Sequence, residues 1–162
     1  MPAWSNRTVF AAMALLCVGL LAFGLYLQHV EGLEPCPMCI VQRYALFAVA
    51  LWAAVGWMVA GRGVQLGMAV LALCSAGFGA FVAARQSWLQ WFPPEITTCG
   101  RDFYGMVEAF PLKRAIPMIF RGSGDCTAID WTFLGLTIAN WSFLNFVLLG
   151  VVATGLLLRR PR

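Results

Sequence analysis

The sequence predicts an all-α membrane protein, a bundle of four transmembrane helices with two loops on its outer side. Three observations carry this reading. Of 162 residues, 61% are hydrophobic and 11% charged, which is too apolar for a water-soluble domain, and the chain is short for more than one domain. Four stretches are long and clean enough to cross a bilayer, which takes roughly 17 to 25 mostly apolar residues. The charges also sort by side: Arg7, Arg62, Arg159, Arg160 and Arg162 flank the runs at one end, and all seven acidic residues fall in the two segments at the other.

The first helix covers about 9–27. Arg7 before it invites comparison with a cleaved signal peptide. The apolar run is long for that, however, and no small-residue cleavage pattern follows in "YLQHVEG", so the helix is read as retained. The second covers about 40–60 and the third about 64–84, ended by "ARQ" at Arg85. In the third, Ser75, Gly79 and Ala83, with Ala72, Ala76 and Ala80 beside them, set small residues at four-residue spacing as a packing seam. The fourth is "WSFLNFVLLGVVATGLLL", 141–158.

The positive-inside rule makes the arginine-flanked ends cytoplasmic, so both termini lie inside and the loops of about 28–39 and 85–140 face out. Within the second loop "PLKRAIPMIF" suits a segment lying on the membrane surface or an ordinary loop. The net charge of +4 forms no basic stripe with interleaved aromatics, which argues against a nucleic-acid partner.

Six cysteines divide by position. Cys17 and Cys74 lie inside apolar helices, where a free thiol acts as a small hydrophobe. Cys36, Cys39, Cys99 and Cys126 all fall in the outward loops, and an even number on an oxidising side points to disulfides. Zinc is a poor reading, because Cys99 and Cys126 are far apart and His29 is the only histidine. Purely structural bridges are the alternative. Closing the roughly 28-residue loop between Cys99 and Cys126 stabilises by about 3.6 kcal/mol, whereas the tight Cys36–Cys39 loop yields only about 2 kcal/mol before strain. A structural role thus suits the wide pair and not the tight one.

The Cys-x-x-Cys spacing reads as redox-active. Cys39 falls at the predicted start of the second helix, where unpaired N–H groups and the positive end of the dipole favour a thiolate. Pro37 suits the first turn. Arg43 lies four residues after Cys39 on the same face and would stabilise an anion there; on position alone it is equally an interfacial anchor. A dithiol at a bilayer surface needs an electron acceptor, and a quinone is an oxidant that dissolves in lipid. The spacing alone does not identify one.

"QHV" before the first loop, "PCPMCIVQR", Cys99 in the second loop, and "SGDC" followed by a tryptophan and "FLGL" occur here in order across nearly the whole chain. This pattern resembles the DsbB family of bacterial membrane proteins, which re-oxidise the periplasmic thiol oxidase DsbA. The resemblance implies a multi-pass protein of the bacterial inner membrane, a DsbA-like partner, and a quinone from the membrane pool, ubiquinone or menaquinone, as electron acceptor. It implies that Cys99 and Cys126 receive electrons from the partner, with Cys99 the sulfur attacked. Cys126 then attacks Cys36, and the freed Cys39 faces the quinone beside Arg43.

One departure stands at Gln86, in the quinone region, where some members carry histidine. Glutamine donates a hydrogen bond but shuttles no proton near neutral pH. His29, on the outer side, is a weak substitute. The competing function is a disulfide-stapled membrane scaffold without turnover, which gains little from a tight cysteine pair.

Overall fold

A computed structural model describes residues 5–93, 117, 124–127, 129 and 131–159. Helix α1 spans Asn6–His29, α2 Pro37–Met58 and α3 Arg62–Trp91; a single turn, α4, spans Gly124–Thr127, and α5 spans Ile138–Leu158. As the sequence predicts, four helices among the described residues are long and apolar enough to cross a membrane. Between α4 and α5 a hairpin pairs β1 (Thr132–Phe133) with β2 (Leu136–Thr137) antiparallel, in register Thr132↔Thr137 and Phe133↔Leu136.

Several helix ends differ from expectation by a few residues, and three of the differences have a clear local cause. Ser5 caps α1, its hydroxyl accepting from the Thr8 N–H at 3.2 Å, so the helix starts before its apolar run does. Pro37 opens α2 at the position where its missing N–H costs nothing. The largest difference is in α3, for which the sequence predicts a span of about 64–84 and a loop over 85–140. Arg, Gln, Trp and Leu are acceptable helix residues, so the helix runs on to Trp91. It stops before Pro93 and Pro94, because a proline disfavours helical backbone in the residue preceding it. The added turns carry Gln86, Leu89 and Gln90.

The core gathers Phe10, Met13, Cys17, Val49, Ala72, Ala76, Phe146 and Leu149. Helix α3 packs along both α2 and α5, and α1 packs along α2. Small residues permit the α3–α5 approach: a Cβ on Gly79 would run into the Phe146 ring. Leu15, Phe81 and Val151 point outward and are largely exposed, as an apolar lipid solvent allows. Helices α1 and α5 touch little, which leaves one side of the bundle open.

At one end of the bundle, Arg7 Nε donates to the Trp57 carbonyl at 3.0 Å and Arg62 to that of Arg159. Each cation thus satisfies a carbonyl at a helix C-terminus, where the dipole favours positive charge. Cys17 is buried in the core, whereas Cys74 is exposed on α3. Cys99 and all of "PLKRAIPMIF" but Pro117 lie outside the described residues.

Candidate redox site

Cys36 is the N-cap of α2: its Sγ accepts the Cys39 N–H at 3.2 Å. A cap residue and the residue three positions on face each other across the first turn, and here that brings Cys36 Sγ to 2.6 Å from Cys39 Sγ. Turn α4 packs on α3 and delivers the fully buried Cys126 into a cluster with Cys36, Met38, Val82 and Leu89. There the Cys126 thiol makes a hydrogen-bond contact with Cys36. Three sulfurs therefore follow one another, with Cys36 in the middle. Contact with Cys126, then contact with Cys39, and burial all push the Cys36 thiol up from its ordinary value, so it holds its proton more tightly than a free cysteine.

The α3 extension places Gln86 against this pair. Its Nε2 donates to both Cys36 Sγ and Cys39 Sγ at 3.3 Å, and its Oε1 accepts from Gln42 Nε2 at 2.7 Å. Arg43, one residue beyond Gln42, turns across to α1, where its guanidinium donates to Gln28 Oε1 and to the Gly24 carbonyl at 2.9 Å. The side-chain amide at the sulfurs comes from Gln86. The hydrogen bonds of Arg43 run to α1, not to Cys39.

Cys39, Arg43 and Gln86 line a cavity of about 660 Å³ whose walls include Leu20, Leu46 and Phe146. It occupies the gap that α1 and α5 leave open. Aromatic rings roof it. Phe23 of α1 meets Trp131 edge-on at 6.2 Å, Trp131 stacks on Phe133 at 6.1 Å, and Phe133 lies 6.0 Å from Trp141 of α5. Trp141 Nε1 also donates to the Phe133 carbonyl at 3.0 Å. Thr137 pins the hairpin base, since its hydroxyl donates to Gln90 Oε1 at 2.7 Å and also caps α5. A half-buried sulfur, a cation and amide donors therefore face an apolar chamber of ligand size.

The family model for Disulfide bond formation protein DsbB matches residues 6–156. The chain belongs to the DsbB family. It is 67% identical to Disulfide bond formation protein B of Paracidovorax citrulli, over 96% of this chain and 89% of that protein. It is 65% identical to the protein of that name from an Acidovorax species, covering 96% and 90%, and 65% identical to that of a Polaromonas species, covering 96% and 93%.

Of the residues singled out from the sequence of this DsbB-family chain, Cys36, Cys39, Cys126, Arg43 and Gln86 come together, and Cys99 lies outside the described residues. His29 ends α1 and is not among the cavity-lining residues. Sequence reasoning gave no role to Gln28, Gln42 or Gln90, although polar amides at the edges of apolar runs were a usable signal. The hairpin within "FLGL" was also missed. Its turn places Leu134 at φ 52 and Gly135 at φ 77, and a leucine with positive φ does not announce a turn.

Proposed function

We propose that this chain is a quinone-dependent thiol oxidoreductase of the bacterial inner membrane that re-oxidises a periplasmic DsbA-like dithiol protein. The observation that carries the reading is the sulfur series Cys126, Cys36, Cys39, which ends at a cavity holding Arg43. Family membership supports disulfide formation as the chemistry.

The partner's thiolate attacks Cys99 Sγ of a Cys99–Cys126 disulfide, and the partner's second thiol resolves the mixed disulfide. The partner leaves oxidised, and Cys99 and Cys126 are left as a dithiol. Cys126 Sγ then attacks Cys36 Sγ, breaking the Cys36–Cys39 bond and freeing Cys39 as the thiolate. Cys99 next attacks Cys126, restoring the wide disulfide and returning Cys36 as a thiol. Each exchange moves one electron pair between sulfurs. The contact of Cys126 with Cys36 supports this order.

The cavity fits a quinone. Arg43 is a donor suited to a carbonyl oxygen, Gln86 lines the same cavity with its amide on the sulfurs, and Leu20, Leu46 and Phe146 suit an isoprenoid tail. A bound quinone supplies an acceptor for two electrons and two protons. The chain's own part is to hold the Cys39 sulfur at the cavity, at the N-terminus of α2 where the helix dipole favours an anion, and to exclude water with the aromatic roof. Arg43 orients and polarises the acceptor's oxygen. On this reading Arg7, Arg62 and Arg159 mark the cytoplasmic side and the redox cysteines the periplasmic one.

The test is to mix purified protein with a reduced DsbA-like dithiol protein and follow quinone absorbance. Quinone should be reduced in step with partner oxidation. Partner oxidation that proceeds with no change in quinone would refute the acceptor.

A further inference from the structure

Gln42 sits between Cys39 and Arg43 in α2 and is 6% exposed. A buried carboxamide must find partners or lose the full cost of its desolvation. The Gln42 NH₂ finds Gln86 Oε1 at 2.7 Å. This contact has a directional consequence. With Oε1 taken by Gln42 at the shorter distance and met by the Cys39 thiol only at 3.7 Å, the Gln86 amide turns its NH₂ to the sulfurs, at 3.3 Å from each. Turned the other way, Gln86 would set oxygen lone pairs against the same sulfurs, and both orientations occupy the same space.

From this we infer that Gln42 is a positioning residue for the dithiol: it holds the Gln86 amide with its donor face toward Cys36 and Cys39. Among the described residues, the other groups packed around this sulfur cluster include the Cys126 thiol, Met38, Val41, Val82 and Leu89, with the Cys39 N–H engaged by Cys36. Gln86 is thus the side-chain amide that distinguishes an anionic sulfur from a bonded one. Donors aimed at sulfur stabilise the reduced form, and a stabilised reduced form makes a pair more oxidising. Oxidation of the Cys36–Cys39 dithiol to the disulfide releases two electrons and two protons, which the quinone of the proposed function takes up. The inference deepens that function and rests on it for its purpose, although its measurement contains no quinone.

The experiment equilibrates the full-length, quinone-depleted chain anaerobically with dithiothreitol in its two redox forms, and reads the oxidised fraction of Cys36–Cys39 by alkylation and peptide mass. Four proteins are compared: unaltered, Gln42→Met, Gln86→Leu and the double variant, with Gln42→Leu as a second apolar replacement should Met pack badly. Gln42→Met should shift the equilibrium about fivefold toward the disulfide, the weight of one buried hydrogen bond, which is about 20 mV for a two-electron couple. In the Gln86→Leu background the same substitution should shift nothing further, because its route of action is gone. An unshifted equilibrium in both Gln42 variants overturns the inference. So does an equal shift with and without Gln86, which is the signature of a residue that only fills space. Because quinone is absent, failure of the acceptor assignment would leave this result standing.

Discussion

Replacing Arg43 separates its two tasks. Its guanidinium ties α2 to α1 through Gln28 and the Gly24 carbonyl while it lines the cavity. These two bonds engage only part of its five N–H donors, which leaves the fork able to hold an acceptor oxygen as well. A hydrogen bond to a charged group is worth about 1.5–3 kcal/mol, so Arg43→Ala should lower kcat/KM for quinone by about 10- to 150-fold. The tie between helices contributes less, at about 0.6 kcal/mol for each interhelical bond in a membrane protein. Arg43→Lys keeps the charge but cannot hold two acceptors in one plane, and should fall between. The assay is steady-state kinetics with quinone varied, alongside single-turnover thiol exchange with the reduced partner in the absence of quinone. Exchange should survive in both variants, and so should the dithiothreitol equilibrium of Cys36–Cys39, since the amide at those sulfurs belongs to Gln86. Unchanged quinone kinetics in Arg43→Ala would reduce the residue to a helix tie and sink its place at the acceptor.

Replacing Cys36 or Cys39 with Ser should abolish quinone reduction, because the tight pair is then unable to close; a normal rate in either variant removes the pair from the pathway. Mixed with the oxidised chain, a partner whose second cysteine is replaced by Ser should accumulate as a reducible covalent complex bonded through Cys99, because Cys126 leaves as the thiol and no partner thiol resolves the bond. A peptide map showing the partner on Cys36 would reverse the order of transfer. Gly79→Val should destabilise the bundle by about 1–3 kcal/mol, read as a lower thermal midpoint in detergent, because the added methyls meet the Phe146 ring.

The spans are legible in the sequence because a helix facing lipid has only to be apolar for long enough, and Leu15, Phe81 and Val151 show that condition on their outer faces. Helix ends are less legible. Hydropathy follows side chains, whereas the backbone continues until something stops it, so α3 outlives its apolar run and ends only before Pro93. The cysteine motif is likewise plain, but the meeting of Cys126 with Cys36 depends on a distant turn folding back over α3, and local spacing carries no trace of that.

The part of the site hardest to read beforehand is the one that the α3 extension creates. A helix ending at Arg85 would leave Gln86 in a loop, a single polar residue with no partner to orient it. Continued through Trp91, α3 carries Gln86 against the first turn of α2, where the amide meets two sulfurs and Gln42 at once. An amide in that place trades proton transfer for orientation. It cannot pass a proton as an imidazole does, but it can be locked with its donors toward an anion by a neighbour that takes its oxygen. That lock needs Gln42 and Gln86 together, one on each of two helices 44 residues apart in the chain. A site built this way tunes its sulfurs through a contact between helices, so mutations that alter α2–α3 packing should act on the redox pair even when they touch neither cysteine.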